Sequence, residues 1–125
     1  MNLNQVTIYS NKLTESVEFY KKLGLLLIVD SIPRYARFSF PDGNSTLSLH
    51  ESGEVPTTSN IVLYFECENL DKEVERLKTL GLNFDQAPID QGWLWREAYL
   101  KDPNGNTICL FYAGENRKNP PWRVR

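Results

Sequence analysis

Residues 13–25, LTESVEFYKKLGL, recur later in the chain as LDKEVERLKTLGL at residues 70–82. Both copies place apolar residues at the three- and four-residue spacing of an amphipathic helix. Both also carry a Gly near the end, where a left-handed cap favours glycine. Such internal repetition indicates one structural unit that occurs twice. We therefore predict one helix of about three turns in each half of the chain.

Alternating apolar and polar residues flank each predicted helix, a pattern typical of strands in a half-buried sheet. One strand precedes each helix and three follow it. The predicted strands are 6–9, 25–29, 35–40 and 46–50, then 61–64, 83–84, 93–100 and 107–112. The predicted fold class is α+β, built from two tandem βαβββ modules.

The length of 125 residues suits one domain of common size. Within it we expect a first half at 1–50, a polar linker at 51–59, a second half at 60–113 and a basic tail at 114–125. The linker contains Pro56 and two threonines, which are typical of a connecting loop.

The net charge of −2 argues against a protein that coats nucleic acid, which needs a basic face. Four Lys and Arg residues gather after Glu115, and we expect this tail to be solvated or folded on the acidic body. No apolar run approaches the roughly 20 residues that cross a bilayer, and no signal-peptide pattern opens the chain. We expect a cytoplasmic protein without membrane association. Cys67 and Cys109 lie in apolar runs outside any CxxC pair, which predicts reduced thiols.

Strand alternation separates a helix-facing side of each sheet from an open face. The open faces of both halves collect polar and aromatic residues, which fits a ligand cleft better than a second core. The residues that we assign to this cleft are Gln5, Tyr9, Ser48, His50, Asn60, Tyr64, Trp93, Trp95 and Cys109.

Three motifs carry a family resemblance: NQVTI at 4–8, SVEFYKKLGL at 16–25 and WREAYLKDPNGN at 95–106. Together and in this order they resemble the vicinal oxygen chelate superfamily, which holds glyoxalase I, bleomycin-resistance proteins, fosfomycin-modifying enzymes and extradiol dioxygenases. The bleomycin-resistance-like members are the most similar. The resemblance implies that the two modules form a curved mixed sheet around an open cleft, and that the protein is a homodimer.

Metal-dependent members of that superfamily hold a divalent cation at four equivalent positions, typically with His, Gln or Glu. The resemblance places Gln5, Ser48, Asn60 and Cys109 at those positions. Only Gln5 is a ligand type that the family uses, and divalent cations prefer carboxylate or imidazole donors. We therefore expect vestigial positions, no metal and no cofactor.

Several single residues allow two interpretations. His50 is either a rim residue or a general base, since imidazole titrates near neutral pH. Glu66 and Glu97 either pair with a basic residue such as Arg37 or Arg96 or act as an acid or base. Cys109 is either a small cleft-lining residue or a reactive thiol. His50 and Glu97 are thus weak catalytic candidates.

Trp93 and Trp95 are separated by one residue, so a strand would place both on one face with Glu97 and Tyr99. That face is either the cleft or the core, and the resemblance favours the cleft for at least one of the two tryptophans. Trp122 follows two prolines, and we expect it to pack against the body or a partner subunit.

The leading hypothesis is metal-independent capture of a small, partly aromatic organic molecule, as in sequestration or resistance. The alternative is a divalent-metal lyase or dioxygenase with unusual ligands. A third hypothesis is a non-catalytic module that dimerises with a partner. The ligand itself is not encoded in the fold.

Overall fold

The computed structural model describes residues 1–55 and 59–124, so part of the predicted linker, Pro56 to Thr58, and the tail residue Arg125 lie outside the described residues. The first half contains β1 (Gln5–Ser10), α1 (Leu13–Lys22), β2 (Leu26–Ser31), β3 (Tyr35–Ser39) and β4 (Thr46–Glu51). The second half contains β5 (Val62–Glu66), α2 (Leu70–Thr79), β6 (Gln86–Asp90), β7 (Arg96–Lys101), β8 (Thr107–Tyr112) and a 3₁₀ helix (Gly114–Arg117).

Each half forms a compact unit with its own four-stranded sheet. The strand order is β1-β4-β3-β2 in the first unit and β5-β8-β7-β6 in the second. In both sheets the first strand pairs in parallel with the last, and the other pairs are antiparallel. The predicted α+β class with tandem βαβββ modules is confirmed.

The two helices form where the repeat predicts them, because each has one apolar face to bury against its sheet. In α1 the buried residues include Val17 and Tyr20, and in α2 they include Val74 and Leu77. Gly24 and Gly81 follow the helices at φ 104° and 90°, the left-handed backbone expected of a glycine cap. Neither these two helices nor the short 3₁₀ turn is long and apolar enough to span a bilayer within the described ranges.

The turn Asp102–Gly105, between β7 and β8, belongs to the first compact unit. The hydroxyl of Tyr20 donates a 2.7 Å hydrogen bond to Oδ2 of Asp102, and the hydroxyl of Ser16 donates one of 3.2 Å to Oδ1 of Asn104. Burial, followed by the charge of Asp102, raises the pKa of Tyr20 well above its ordinary value. A turn from the second half of the sequence therefore anchors the helix of the first.

Two strand predictions in the second half are wrong. The strand predicted at 83–84 is β6 at Gln86–Asp90, an edge strand that carries Pro88 beside an irregular register, as suits proline. The strand predicted from Trp93 begins at Arg96 instead, because residues 91–95 form a turn closed by the Gln91 N–H bond to the Trp95 carbonyl, 2.8 Å. Leu94 in that turn has φ 69°, which is uncommon for leucine.

The start of β5 corrects another expectation. Asn60 and Ile61 precede β5, which begins at Val62, and the loop before the helix has two residues in the first half and three in the second. Gln5 pairs with Thr46 and Val62 pairs with Thr107, which makes Val62 the equivalent of Gln5. The predicted register of β5 differs from the observed register by two residues. A shift of two residues keeps every side chain on the same face of the sheet, so Tyr64 lies on the predicted face.

Candidate functional site

The open face of the second sheet carries an aromatic cluster of Tyr64, Trp95 and Phe111. The Trp95 and Phe111 rings are stacked, with centroids 4.7 Å apart and an interplanar angle of 18°. Tyr64 meets both rings edge-on, at 6.0 Å and 5.6 Å between centroids. Both arrangements are preferred aromatic geometries. Phe111 is buried, whereas Trp95 is half-buried and Tyr64 is 48% exposed, so the cluster presents aromatic surface to solvent.

The cluster is held by the segment that follows β8. Nε1 of Trp95 donates a 3.3 Å hydrogen bond to the carbonyl of Asn116 in the 3₁₀ helix. Oε2 of Glu66 accepts hydrogen bonds of 2.8 Å and 2.9 Å from the backbone N–H groups of Ala113 and Gly114. The contacts of Glu66 hold the start of the 3₁₀ helix against β5. The contact with Asn116 holds the Trp95 indole against the same helix. Glu66 therefore has a structural role, because it holds the backbone after β8 against the end of β5.

Glu97 is a buried carboxylate on the same face. It is 2% exposed, and its register partner on β8 is Phe111. Oε2 accepts a 2.9 Å hydrogen bond from Nε1 of Trp93, and Oε1 accepts a 2.9 Å hydrogen bond from the hydroxyl of Tyr99. Burial, and then this hydrogen bond, raise the pKa of Tyr99, so its hydroxyl remains a donor. Alternation thus places Glu97 as predicted, although Trp93 reaches it from a turn and not from a strand.

Arg96 does not pair with Glu97. Its guanidinium lies 2.9 Å from Oδ1 of Asp71 and 3.0 Å from Oδ1 of Asp90. Successive residues of a strand point to opposite faces, which separates Arg96 from Glu97. The interpretation of Glu97 as half of an ion pair with Arg96 is therefore wrong.

Cys109 lies beneath the aromatic cluster and is fully buried. It packs with Phe111 and Ala113, against which Trp95 and Tyr99 also pack. Burial is the main cause that raises the pKa of Cys109 from 9.0 to about 12. A thiol in this state is protonated at neutral pH and is a poor nucleophile. The structure thus favours a packing role for Cys109 over a reactive thiol.

The open face of the first sheet is polar and aromatic. The rings of Tyr9 and His50 lie 5.6 Å apart, and Tyr35 meets His50 edge-on at 6.1 Å. Nδ1 of His50 lies 3.0 Å from the carbonyl of Glu51, so this nitrogen serves as a donor. His50 itself is exposed at the end of β4. These contacts give His50 neighbours for stacking rather than a partner for proton transfer.

Hydroxyl and amide groups occupy the remainder of that face. The hydroxyls of Thr7 and Ser48 are 2.7 Å apart, and Oε1 of Gln5 accepts a 2.8 Å hydrogen bond from the hydroxyl of Thr46. Arg37 is the register partner of Ser48 on β3, and its Nε donates a 2.8 Å hydrogen bond to the hydroxyl of Tyr35.

The predicted site residues therefore divide between two faces. Tyr64, Trp95 and Cys109 come together in the second unit, with Trp93 at their edge. Gln5, Tyr9, Ser48 and His50 lie on the open face of the first unit, and Asn60 lies outside the sheet. The residues that our assignment left out are Tyr35, Arg37, Tyr99 and Phe111. Alternation along β7 and β8 already predicts Tyr99 and Phe111 on the open face, and alternation along β3 is the signal that could have found Tyr35 and Arg37.

The donor set does not fit a divalent cation. Gln5 and Ser48 bring neutral oxygens that are engaged with neighbouring hydroxyls, and Cys109 is a buried, protonated thiol. Val62, which is apolar, takes the position equivalent to Gln5. Among the described residues no group of three or more His, Cys, Asp or Glu side chains is placed to hold a metal ion.

Comparison with known proteins identifies the superfamily of the chain. The family model of the Glyoxalase/Bleomycin resistance protein/Dioxygenase superfamily matches residues 2–110. The chain therefore belongs to this superfamily, which confirms the resemblance carried by its motifs.

Individual relatives agree with that assignment. The uncharacterized protein YraH of Bacillus subtilis strain 168 is 29% identical over 127 residues, covering 89% of this chain and 98% of that protein. A glyoxalase/bleomycin resistance protein/dioxygenase from Nocardioides has a TM-score of 0.80 at 24% identity, covering 100% of this chain and 90% of its own. A bleomycin-binding protein complexed with bleomycin has a TM-score of 0.73 at 17% identity, covering 90% of this chain and 98% of its own. The two structures show a shared fold.

Proposed function

We propose that this protein binds a small planar organic molecule against the aromatic cluster of its second unit, without a metal, as a sequestering or resistance-type protein. The observation that carries the proposal is the half-buried Trp95 indole, stacked on the buried Phe111 ring and flanked by the half-exposed Tyr64. A planar ligand gains both apolar burial and aromatic contact at such a surface.

The anchoring of Trp95 supports the proposal. Its indole N–H is bonded to Asn116, and one face of its ring rests on Phe111. A side chain that is already ordered loses little conformational entropy when a ligand arrives, which favours affinity. Tryptophan in such a setting is the residue type that most often dominates binding energy.

The fold is compatible with this activity, since one structural neighbour is a bleomycin-binding protein in complex with bleomycin. Another neighbour is a lactoylglutathione lyase from Agrobacterium tumefaciens, and the fold alone does not choose between binding and catalysis. The donor set argues for binding, because Gln5, Ser48 and Cys109 are unsuited to a divalent cation. No observation in the described residues favours the lyase or dioxygenase alternative.

Metal independence is tested by elemental analysis and thermal melting. We expect no stoichiometric metal after purification, and no rise in melting temperature with nickel, zinc or manganese. A metal present at 100 times its dissociation constant would stabilise the fold by about 2.7 kcal/mol, which is easily detected. One metal per chain that is lost in Gln5→Ala would replace the proposal with the metalloenzyme alternative.

Ligand binding is tested by screening aromatic natural products and drugs against EDTA-treated protein, with intrinsic tryptophan fluorescence as the readout. We expect hits that share a planar ring system and bind equally with and without added divalent metal. Hits that bind only with added metal would contradict the proposal.

We also infer a homodimer in the cytoplasm. Its support is the exposure of large apolar side chains: Trp122, expected from the sequence to be covered, is 58% exposed in the isolated chain, and Ile61 is 62% exposed. Light scattering should give twice the mass of one chain, and cell fractionation tests the location. A monomer at tens of micromolar would contradict the dimer.

A further inference from the structure

Glu97 is buried without a cation beside it. Among the described residues, its carboxylate accepts hydrogen bonds from two neutral donors, the Trp93 indole and the Tyr99 hydroxyl. Across residues 1–55 and 59–124, every ion pair within 4 Å joins other partners. Burying a carboxylate costs free energy that an opposite charge offsets most fully. Two neutral hydrogen-bond donors therefore offset only part of the free-energy cost of burying the Glu97 carboxylate.

The basic residues nearby are already engaged. Arg96 is held by Asp71 and Asp90, Lys101 lies 2.7 Å from Oδ2 of Asp85, and Arg117 lies 3.6 Å from Oε1 of Glu66. No cationic group of the described residues lies within 4 Å of the Glu97 carboxylate, so a bound ligand can supply one.

The Trp93 side chain, which covers Glu97, is placed so that it can rotate away. Trp93 lies in the turn at 91–95, outside any strand, and is 47% exposed. The turn passes through Leu94 at φ 69°, a backbone conformation that leucine rarely adopts. Within the part of the chain that the structure describes, the bond to Glu97 is the one polar contact of the Trp93 indole, whereas the Trp95 indole donates to the carbonyl of Asn116. Rotation of Trp93 would expose Oε2 of Glu97.

We propose that Glu97 is the polar anchor of the ligand site and that the ligand carries a protonated nitrogen next to its planar ring. This inference rests on the proposed function, because the aromatic cluster must hold the ring. Glu97 and Phe111 are register partners on adjacent strands, so their side chains are neighbours on one face. The ligand nitrogen would donate to Oε2 in place of the Trp93 indole. A charged donor then replaces a neutral one, which makes the stronger hydrogen bond.

Three probes with one ring system test the inference: naphthalen-2-ylmethylamine, a cation; 2-naphthalenemethanol, which is neutral; and 2-naphthoate, an anion. Dissociation constants are measured for the full chain at pH 7 by calorimetry or ligand-observed NMR. We expect the amine to bind about tenfold or more tightly than the alcohol, and the naphthoate to bind most weakly.

Glu97→Gln should lower the affinity for the amine about tenfold or more, so that the amine loses its advantage over the alcohol. Glu75→Gln is the matched control, because it makes the same change of charge on the exposed surface of α2. Trp93→Phe is a second variant. It removes the competing indole N–H and should keep the amine preference.

Equal affinities of the wild-type chain for the amine and the alcohol would overturn the role of Glu97 and leave aromatic binding intact. A preference that persists in Glu97→Gln, or disappears in Trp93→Phe, would overturn it as well. Failure of all three probes to bind at millimolar concentration would overturn both the inference and the proposed function. If Glu97→Gln does not fold, the wild-type comparison and Trp93→Phe still decide.

Discussion

The hydroxyl of Tyr20 donates a 2.7 Å hydrogen bond to Oδ2 of Asp102, although the two residues lie in opposite halves of the sequence. Both are buried. Removal of the hydroxyl in Tyr20→Phe takes a buried donor from the Asp102 carboxylate. We expect the free energy of unfolding to fall by about 1–3 kcal/mol, measured by urea denaturation.

The matched control is Tyr9→Phe, which removes the same hydroxyl from a tyrosine that is 57% exposed. This change should alter stability by less than about 0.5 kcal/mol. Equal effects of the two substitutions would show that the bond to Asp102 does not stabilise the fold.

The two cysteines should differ in reactivity. At pH 8 a thiol with a pKa of about 12 is ionised in only about one molecule in ten thousand, and Cys109 is also inaccessible. Cys67 is half-buried. Ellman's reagent should therefore modify Cys67 alone in the native chain and both cysteines in denaturant, with the sites assigned by mass spectrometry. Rapid modification of Cys109 in native protein would contradict its packing role.

Stability should decline in alkaline solution. The folded chain raises the pKa of Cys109 above 9.0, so above pH 9 it binds more protons than the unfolded chain. This contribution is fully present below about pH 9 and is lost as pH rises through about 12. Tyr20, whose pKa is also raised, acts in the same direction. Urea unfolding from pH 8 to 11 should show a shallower decline in Cys109→Ser than in wild type, and parallel declines would argue against the shift.

Glu66 should hold the start of the tail. Glu66→Ala removes the acceptor for the N–H groups of Ala113 and Gly114, so hydrogen exchange at these two amides should accelerate at least tenfold. Glu68→Ala, an exposed glutamate two residues along, is the control and should leave both amides unchanged. Unchanged exchange in Glu66→Ala would mean that other contacts hold the segment.

The repeat and the strand alternation predicted most of the fold, because both helices and the faces of β1, β4 and β8 follow from hydrophobic periodicity. The errors cluster where backbone conformation departs from that periodicity. The residue types around Leu94 do not predict a positive φ at this position. The predicted strand therefore starts too early, at Trp93. The proline in β6 lowers its strand propensity, which moved the predicted strand to 83–84.

The sequence predicts on which face of the sheet a site residue lies, but it does not predict which side chains that residue contacts. Alternation placed Trp95 and Glu97 together correctly. It could not show that Trp93 caps the Glu97 carboxylate, or that Arg96 turns to α2, since both depend on side-chain partners from distant parts of the chain. The assignment of Asn60 failed because two registers of β5 share the same alternation.

The most direct test of the account is the affinity of Trp95→Ala for 2-naphthalenemethanol, compared with Trp122→Ala, which removes an exposed tryptophan outside the cluster. Circular dichroism establishes that both variants fold. We predict that Trp95→Ala weakens binding about thirtyfold, equivalent to about 2 kcal/mol, and that Trp122→Ala has no effect. If folded Trp95→Ala binds as tightly as the wild-type chain, the aromatic cluster is not the binding surface and the proposed function is wrong.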